Sequence, residues 1–392
     1  MDYRVIANLF MLLFLGVADN QMIAALLPSL VHSLNISVGS AGLLVTVYSL
    51  AAALAAFVSG SLSDHYGRRK FLLAGVLVFA LASWLSSQSQ NYLELVLSRA
   101  LTGLGAGTIS TCSIAFAGDW FPYAVRGRAI GLISTAYFAA PILGVPLATQ
   151  VADRYGWRHT FLLFGLLAFV VAASSLTLPN EQLDPHRSSE KLRTTVRAFR
   201  SFLARRDTAA ALGIAFLVSG GLVGFLTYIR QWLNTHFDIP TRTIGWVFML
   251  GGLVAVGSAP LGGNLSDRLG KRPVSIASNI ILAISIACIP FLHWGLWLLL
   301  AFAGTSLGAA FRQGPLTALM TEMVPGAQRG SFIALRNIAS QLGIGAVALV
   351  GGLLYQRHGY VAVTTLCAAM TAVVAVLLAT HIVEPQPISE RA

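Results

Sequence analysis

Charge is what this sequence has least of. Asp, Glu, Lys and Arg make up 10% of its 392 residues, against about 25% in a soluble protein. Hydrophobic residues make up 56% and the mean hydropathy is +0.73. No soluble core hides that much apolar surface, so most of it must face lipid. Acids are scarcer than bases, 15 Asp and Glu against 26 Lys and Arg. Asp19 alone falls in the middle of an apolar run. The chain has no paired carboxylates, no metal-ligand spacing, and no nucleophile beside a base. A membrane-embedded enzyme or a metal site therefore has no support, and no soluble domain is present to receive a signal as a receptor would. The three cysteines, Cys112, Cys288 and Cys367, each lie inside an apolar run, which excludes a disulfide framework or a zinc site. None of the eight histidines sits mid-span, which excludes a histidine proton relay. The net charge of +11 does not point to nucleic acid, because the basic residues stand in short clusters between apolar runs.

Those runs are what the sequence has in abundance. A membrane-crossing helix needs about 20 mainly apolar residues. Twelve such stretches start near Val5, Ala41, Phe71, Tyr92, Arg128, Arg158, Ala209, Ile244, Val274, Gly295, Ser331 and Val361. The first lacks a small-residue cleavage site and reads as a retained helix. Lys and Arg crowd alternate loops: Arg68 to Lys70, Arg126 and Arg128, the stretch from Arg187 to Arg206, Arg268 to Arg272, and Arg329. The opposite loops carry Arg154, Arg158, Arg230, Arg242 and Arg357. The bias predicts that the basic loops and both termini are cytoplasmic. The expected organisation is an N-terminal half (1–178), a cytoplasmic linker (179–207) and a C-terminal half (208–392). In the linker, Leu192, Val196, Phe199 and Leu203 stand at helical spacing among arginines, the pattern of a helix lying on the inner membrane surface.

The stretch Gly60-Ser-Leu-Ser-Asp64-His-Tyr-Gly67-Arg68-Arg69-Lys70 returns as Gly263-Asn-Leu-Ser-Asp267-Arg-Leu-Gly270-Lys271-Arg272-Pro273. At the same offset of about 200 residues, Asp119 with Arg126 and Gly127 matches Glu322 with Arg329 and Gly330. Gly156 matches Gly359, and Gly42 matches Gly245. The repeat holds six spans, an even number, so both halves enter the membrane alike. Two halves related by an axis along the membrane normal place a substrate site between them near the midplane.

The loop from Gly60 to Lys70 resembles the signature between the second and third helices of the major facilitator superfamily, with His65 in place of the usual arginine. Arg99-Ala-Leu-Thr-Gly103-Leu-Gly105 is similar to that family's fourth-helix motif. Gly127, Ala136, Ala140-Pro141 and Gly144 partly match the fifth-helix motif of its drug:proton antiporter group. The resemblance implies an all-α integral membrane fold of 12 transmembrane helices in two six-helix pseudo-symmetric halves. It implies a monomeric secondary transporter in a bacterial-type inner membrane, driven by a proton gradient with no cofactor. The leading expectation is proton-coupled export of amphipathic small molecules. The alternative is uptake or exchange of an organic anion, using the buried arginines.

Site expectations follow. Gly60, Asp64, Gly67 and Arg68 form a conformational latch, with Asp64 facing Arg329. By the repeat, Asp267 faces Arg126 and Gly127. Pro141 and Gly144 bend the fifth span at the interface between halves. Tyr137, Phe138, Phe225, Tyr228, Phe311, Arg312, Gln313, Arg336, Asn337 and Gln341 are candidates to line the substrate cavity. Arg312 and Arg336 have snorkelling to the membrane surface as an equal alternative. Asp19 is expected to carry the coupled proton with Arg99 as its partner, because intramembrane acids mark transport pathways.

Overall fold

The computed structural model describes residues 2–179, 199–324 and 329–382. Within these, every regular element is a helix. Lipid offers no partner for backbone polar groups, so an apolar chain satisfies them within its own helices. The first half comprises α1 (Tyr3–Leu34), α2 (Val38–Tyr66), α3 (Arg68–Gln88), α4 (Tyr92–Trp120), α5 and α6 (Trp157–Ser175). Helix α5 runs in pieces: Tyr123–Ser134, Ala136–Ala139, a π-helical turn at Ala140–Gly144, and Val145–Tyr155. The second half comprises α7 (Arg206–Phe237), α8 (Thr241–Leu269), α9 (Lys271–Cys288), α10 (Leu296–Glu322), α11 (329–358) and α12 (360–381), the last two parted at Gly359. Among the described residues, 10 stretches are long and apolar enough to cross a membrane. The last of them holds both α11 and α12, and α10, with 27 residues, completes the twelve expected spans.

The repeat is visible in the turns. Asn35 (φ 51°) closes α1 and Asp238 (φ 54°) closes α7. Gly67 (φ 98°) and Gly270 (φ 94°) turn α2 into α3 and α8 into α9. Gly156 (φ 84°) and Gly359 (φ 73°) do the same before α6 and α12. The left-handed region costs glycine nothing and asparagine or aspartate little, so these positions are marked in both halves.

The basic pairs also repeat as structure. Arg68 meets Asp119 at 2.6 Å, and its repeat mate Lys271 meets Glu322 at 2.6 Å. Arg69 donates to the Leu176 carbonyl at the end of α6; Arg272 donates to the Leu378 and Ala379 carbonyls near the end of α12. A cation suits a helix carboxyl terminus. The pairs read as topological anchors therefore also staple each turn to two helices of its own half.

The halves meet at the end away from these turns. Thr46 Oγ1 of α2 donates to the Gly345 carbonyl of α11 at 2.9 Å, and the Tyr228 hydroxyl, which donates to the Ala348 carbonyl of its own half, packs against Gly42 of α2. Gly42 and Gly245 sit at the two tightest glycine approaches between the halves. A Cβ on Gly42 would stand 2.1 Å from the Tyr228 hydroxyl, and one on Gly245 would stand 2.3 Å from Thr149 Oγ1. At the basic end, a Cβ on Gly127, Gly131, Gly257 or Gly263 would meet nothing within 4 Å. Among the described residues the halves are thus joined at the far end, while these glycines of α5 and α8 at the basic end face open space.

Two sequence expectations need correction. Arg230, read as a loop residue, lies inside α7 with 1% exposure. It donates to the Gln21 carbonyl of α1 at 2.6 Å and covers the Phe248 ring at 3.6 Å, so it is part of the closed end. The apolar stretch of α7 ends before it, but the helix continues to Phe237. Of the surface helix expected in the linker, residues 199–204 are helical, while Leu192 and Val196 lie outside the described residues. Phe199 packs on Phe57 of α2 at 6.0 Å and Phe202 packs edge-on to Phe332 of α11 at 5.4 Å. This segment touches both halves, and Leu203 is exposed.

Candidate functional site

Helix α4 begins with a reciprocal cap. The Asn91 side chain accepts from the Glu94 N–H at 3.0 Å, and Glu94 accepts from the Gln90 N–H and the Asn91 amide, each at 2.7 Å. Such a cap fixes where the helix starts. It sets Arg99 about 10 Å inside. Gly103 then lets α4 lie against α2, since a Cβ there would stand 2.3 Å from the Tyr48 carbonyl.

There Arg99 meets Asp19 of α1 through both terminal nitrogens, at 3.1 and 2.7 Å. Both residues are 0% exposed, and Asp19 is the only fully buried carboxylate among the described residues. Tyr48 lies under the guanidinium at 4.6 Å and Phe161 flanks it at 5.7 Å. The Tyr48 hydroxyl donates to the Gly16 carbonyl at 3.1 Å. Arg99 Nε has no hydrogen-bond partner. Two opposed effects act on Asp19: burial disfavours its ionised form and Arg99 favours it. A change in hydration or in the Arg99 distance shifts that balance.

The fifth-span motif bears on this pair. Pro141 removes an N–H from the helix ladder, and the wider π turn at Ala140–Gly144 accommodates it. A Cβ on Gly144 would stand 2.7 Å from the Cβ of Ala18, next to Asp19. Ile142 in the same turn fills the space beside Gly252 of α8. The turn is wedged between the Asp19 helix and the other half. Gly127, at the basic end, has open space around it.

The other expected residues divide. Tyr137 is 49% exposed in the middle of α5 and interacts electrostatically with Arg336 of α11 across the gap. Phe138, Arg336 and Gln341 are half-buried, and Gln313 and Asn337 are exposed. Phe311 is half-buried and packs on Gly262 of α8. Phe225 and Tyr228 are both 0% exposed, which corrects their expected place on the cavity wall. Phe225 packs near Tyr360 within the second half, and Tyr228 belongs to the closed end. Arg312 neither snorkels nor lines the gap. It is 1% exposed and bonds Asn279 Oδ1 at 3.0 Å and the Val218 carbonyl at 3.3 Å, tying α10 to α9 and α7.

In the latch region, the side chains of Asp64 and Arg329 lie outside the described residues. Gly60 faces Thr111 of α4. The expected approach of Asp267 to Arg126 is not made in this conformation. Asp267 is exposed and Arg126 donates to the Phe121 carbonyl at 3.2 Å, as expected of an open basic end. Tyr48 is a site residue that the sequence reading missed. Its signal was a lone phenol in a span of Ala, Leu and Val.

The family model described as Major Facilitator Superfamily matches residues 9–240 and again 211–392. The chain is 27% identical to the uncharacterized MFS-type transporter YwfA of Bacillus subtilis (strain 168), over 91% of this chain and 87% of that one. It is 27% identical to the multidrug resistance protein MdtG of Enterobacter lignolyticus (strain SCF1), over 89% of this chain and 85% of that one. Its fold matches a crystal structure of a D-xylose-proton symporter with a TM-score of 0.79 at 18% identity, over 97% of this chain and 98% of the other. With the family model matching over nearly its whole length, this chain belongs to the major facilitator superfamily, a family of transporters rather than enzymes.

Proposed function

We propose that the protein is a proton-coupled transporter of amphipathic small molecules in a bacterial inner membrane. It works by alternating access, with Asp19 and Arg99 as the coupling pair. The observation that carries this reading is the two-point pairing of Arg99 with Asp19, the one fully buried carboxylate among the described residues. The basic end faces the cytoplasm, so the conformation described is open to the inside. The proton gradient is the energy source. Proton-driven export, in which a cationic substrate and the proton compete for Asp19, is supported by the MdtG relative. A second reading, transport of an organic anion, is favoured by the half-buried Arg336. Protonating Asp19 leaves Arg99 as an unbalanced cation, so an anion binds better with the proton than without it. The sign of coupling therefore reports the substrate's charge: cations exchange for protons and anions travel with them.

The proposal is tested by reconstituting the protein in proteoliposomes and recording transport of a panel of amphipathic dyes with and without a pH gradient. The gradient should drive accumulation of at least one dye; equal equilibration of all of them under both conditions contradicts the proposal. Two further outcomes bear on the same account. Asp64→Asn is expected to insert and fold normally yet transport poorly, because it removes a charge whose surroundings differ between open and closed basic ends. Normal rates from a well-expressed Asp64→Asn protein count against the latch. Cysteines placed at Ser189 and Thr235 should react with an impermeant thiol reagent from opposite sides of the membrane. Reaction of both from one side would overturn the orientation.

A further inference from the structure

Among the described residues the interior holds more positive charge than their carboxylates balance. Among the described residues Asp19 is the one fully buried carboxylate, and Arg99 takes it with both terminal nitrogens. Three other arginines lie within the spans. Arg230 and Arg312 are 1% exposed and end on the Gln21 and Val218 carbonyls and on Asn279. Arg336 differs. It stands about two turns into α11 from Arg329 and is only half-buried. No hydrogen bond or ion pair engages its guanidinium among the described residues. Tyr137, on a helix of the other half, is 49% exposed although it lies mid-helix, and its phenol and the Arg336 guanidinium act on each other electrostatically. Phe138 follows it and is half-buried. Below Tyr137 toward the basic end, a Cβ on Gly131 or Gly127 of α5 would meet nothing within 4 Å, and the same holds for Gly257 and Gly263 of α8.

A guanidinium held inside a membrane protein with no counter-charge of its own calls for one from elsewhere. Its planar fork presents two parallel N–H groups to a carboxylate or sulfonate. A phenol on the facing wall can donate its O–H to the remaining oxygen, and the Tyr137 and Phe138 rings offer apolar surface to the body of the same molecule. We propose that Arg336 and Tyr137 form a subsite for the anionic group of an amphipathic substrate in the gap between the two halves. The inference rests on the proposed substrate pathway between the halves and selects the organic-anion reading over the cationic one.

The test is isothermal titration of detergent-purified protein with ligand pairs that differ only in charge: 1-naphthoate against 1-naphthamide, and 4-phenylbenzoate against 4-phenylbenzamide. The cation 1-naphthylmethylammonium completes the set. Wild type should prefer carboxylate over amide by about 10-fold or more, the difference a charge-assisted hydrogen-bonded pair supplies. Arg336→Gln should erase the preference, Arg336→Lys should keep part of it, and Tyr137→Phe should weaken carboxylate binding several-fold while leaving amide binding unchanged. Ligand-free melting curves report whether each variant is folded, and Tyr137→Phe serves if Arg336→Gln is not. Equal binding of both members of every pair by wild type overturns the subsite. So does a preference left intact in both Arg336→Lys and Tyr137→Phe, or stronger binding of the ammonium. A preference abolished by phosphatidylglycerol assigns the arginine to a lipid headgroup and also overturns it. Binding in detergent needs no proton gradient. An Asp19→Asn protein that keeps the carboxylate preference therefore supports the subsite even where proton coupling itself fails.

Discussion

Asp19→Asn is expected to convert an active transporter into a passive one. A pH gradient of two units stores about 2.7 kcal/mol per proton, enough for roughly 100-fold accumulation at one proton per substrate. In proteoliposomes, that ratio should fall to unity in the variant while exchange down a concentration gradient continues. Asparagine is nearly isosteric and keeps one acceptor for Arg99, so the helices retain their contacts. What is lost is the group that changes charge. Because the amide does not titrate, residual exchange should also become independent of pH where wild type is not. Removing the other partner is a different experiment. Arg99→Ala strands a carboxylate in a site with 0% exposure, and breaking a buried pair in that way costs about 3–5 kcal/mol. The asparagine variant is therefore the one that reads coupling rather than stability. Uphill transport by Asp19→Asn, with the proton gradient as its only drive, removes Asp19 from the mechanism.

The second large effect is expected at the closed end. Gly42 and Gly245 occupy matching positions in the two halves, and each admits a side chain from the opposite half so closely that a Cβ would collide. Leucine at Gly42 must push Tyr228 and the Ala348 carbonyl away. Overpacking of this kind costs about 1–3 kcal/mol. The penalty falls only on the conformation in which this end is shut. The ratio of the two conformations should therefore move by roughly 5- to 150-fold toward the one open at the far end. Spin labels at His32 and Arg357, exposed at the far end of the two halves, should separate in Gly42→Leu. Labels at Arg128 and Arg268, exposed at the basic end, should approach. Unchanged distances at both ends would show that these glycines do not set the conformational balance.

The features that recur are the ones the sequence displays. The paired positive-φ residues, the Arg68–Asp119 and Lys271–Glu322 bridges, and the Arg69 and Arg272 helix caps all stand at one offset. Turn chemistry constrains residue type, so two copies of it can be read without coordinates. Asp19 and Arg99 were legible for another reason: a charge in an apolar run must find a partner, and each half offers few. The interior arginines were harder to place. In the sequence Arg312 and Arg336 read as charges within the inner halves of spans and Arg230 as a loop residue. What separates a buried tie from a cavity wall is the neighbour each helix presents: Asn279 and Val218 for Arg312, Gln21 and Phe248 for Arg230, and open space facing Tyr137 for Arg336. Helix packing decides that, and periodicity in long, almost wholly apolar helices does not reveal which face meets which neighbour. Phe225 and Tyr228 were misplaced for the same reason. Aromatics line cavities and fill cores alike, and only their burial tells the two apart.

The account stands most directly on whether substrate movement carries protons through Asp19. The measurement uses proteoliposomes with a trapped pH-sensitive dye and an outward or inward gradient of 1-naphthalenesulfonate, an anion that neither crosses the bilayer nor titrates. With wild-type protein, protons should move in the same direction as the sulfonate. With Asp19→Asn the sulfonate should move and the internal pH should stay constant. Sulfonate flux through the wild-type protein with no accompanying proton movement would contradict the account.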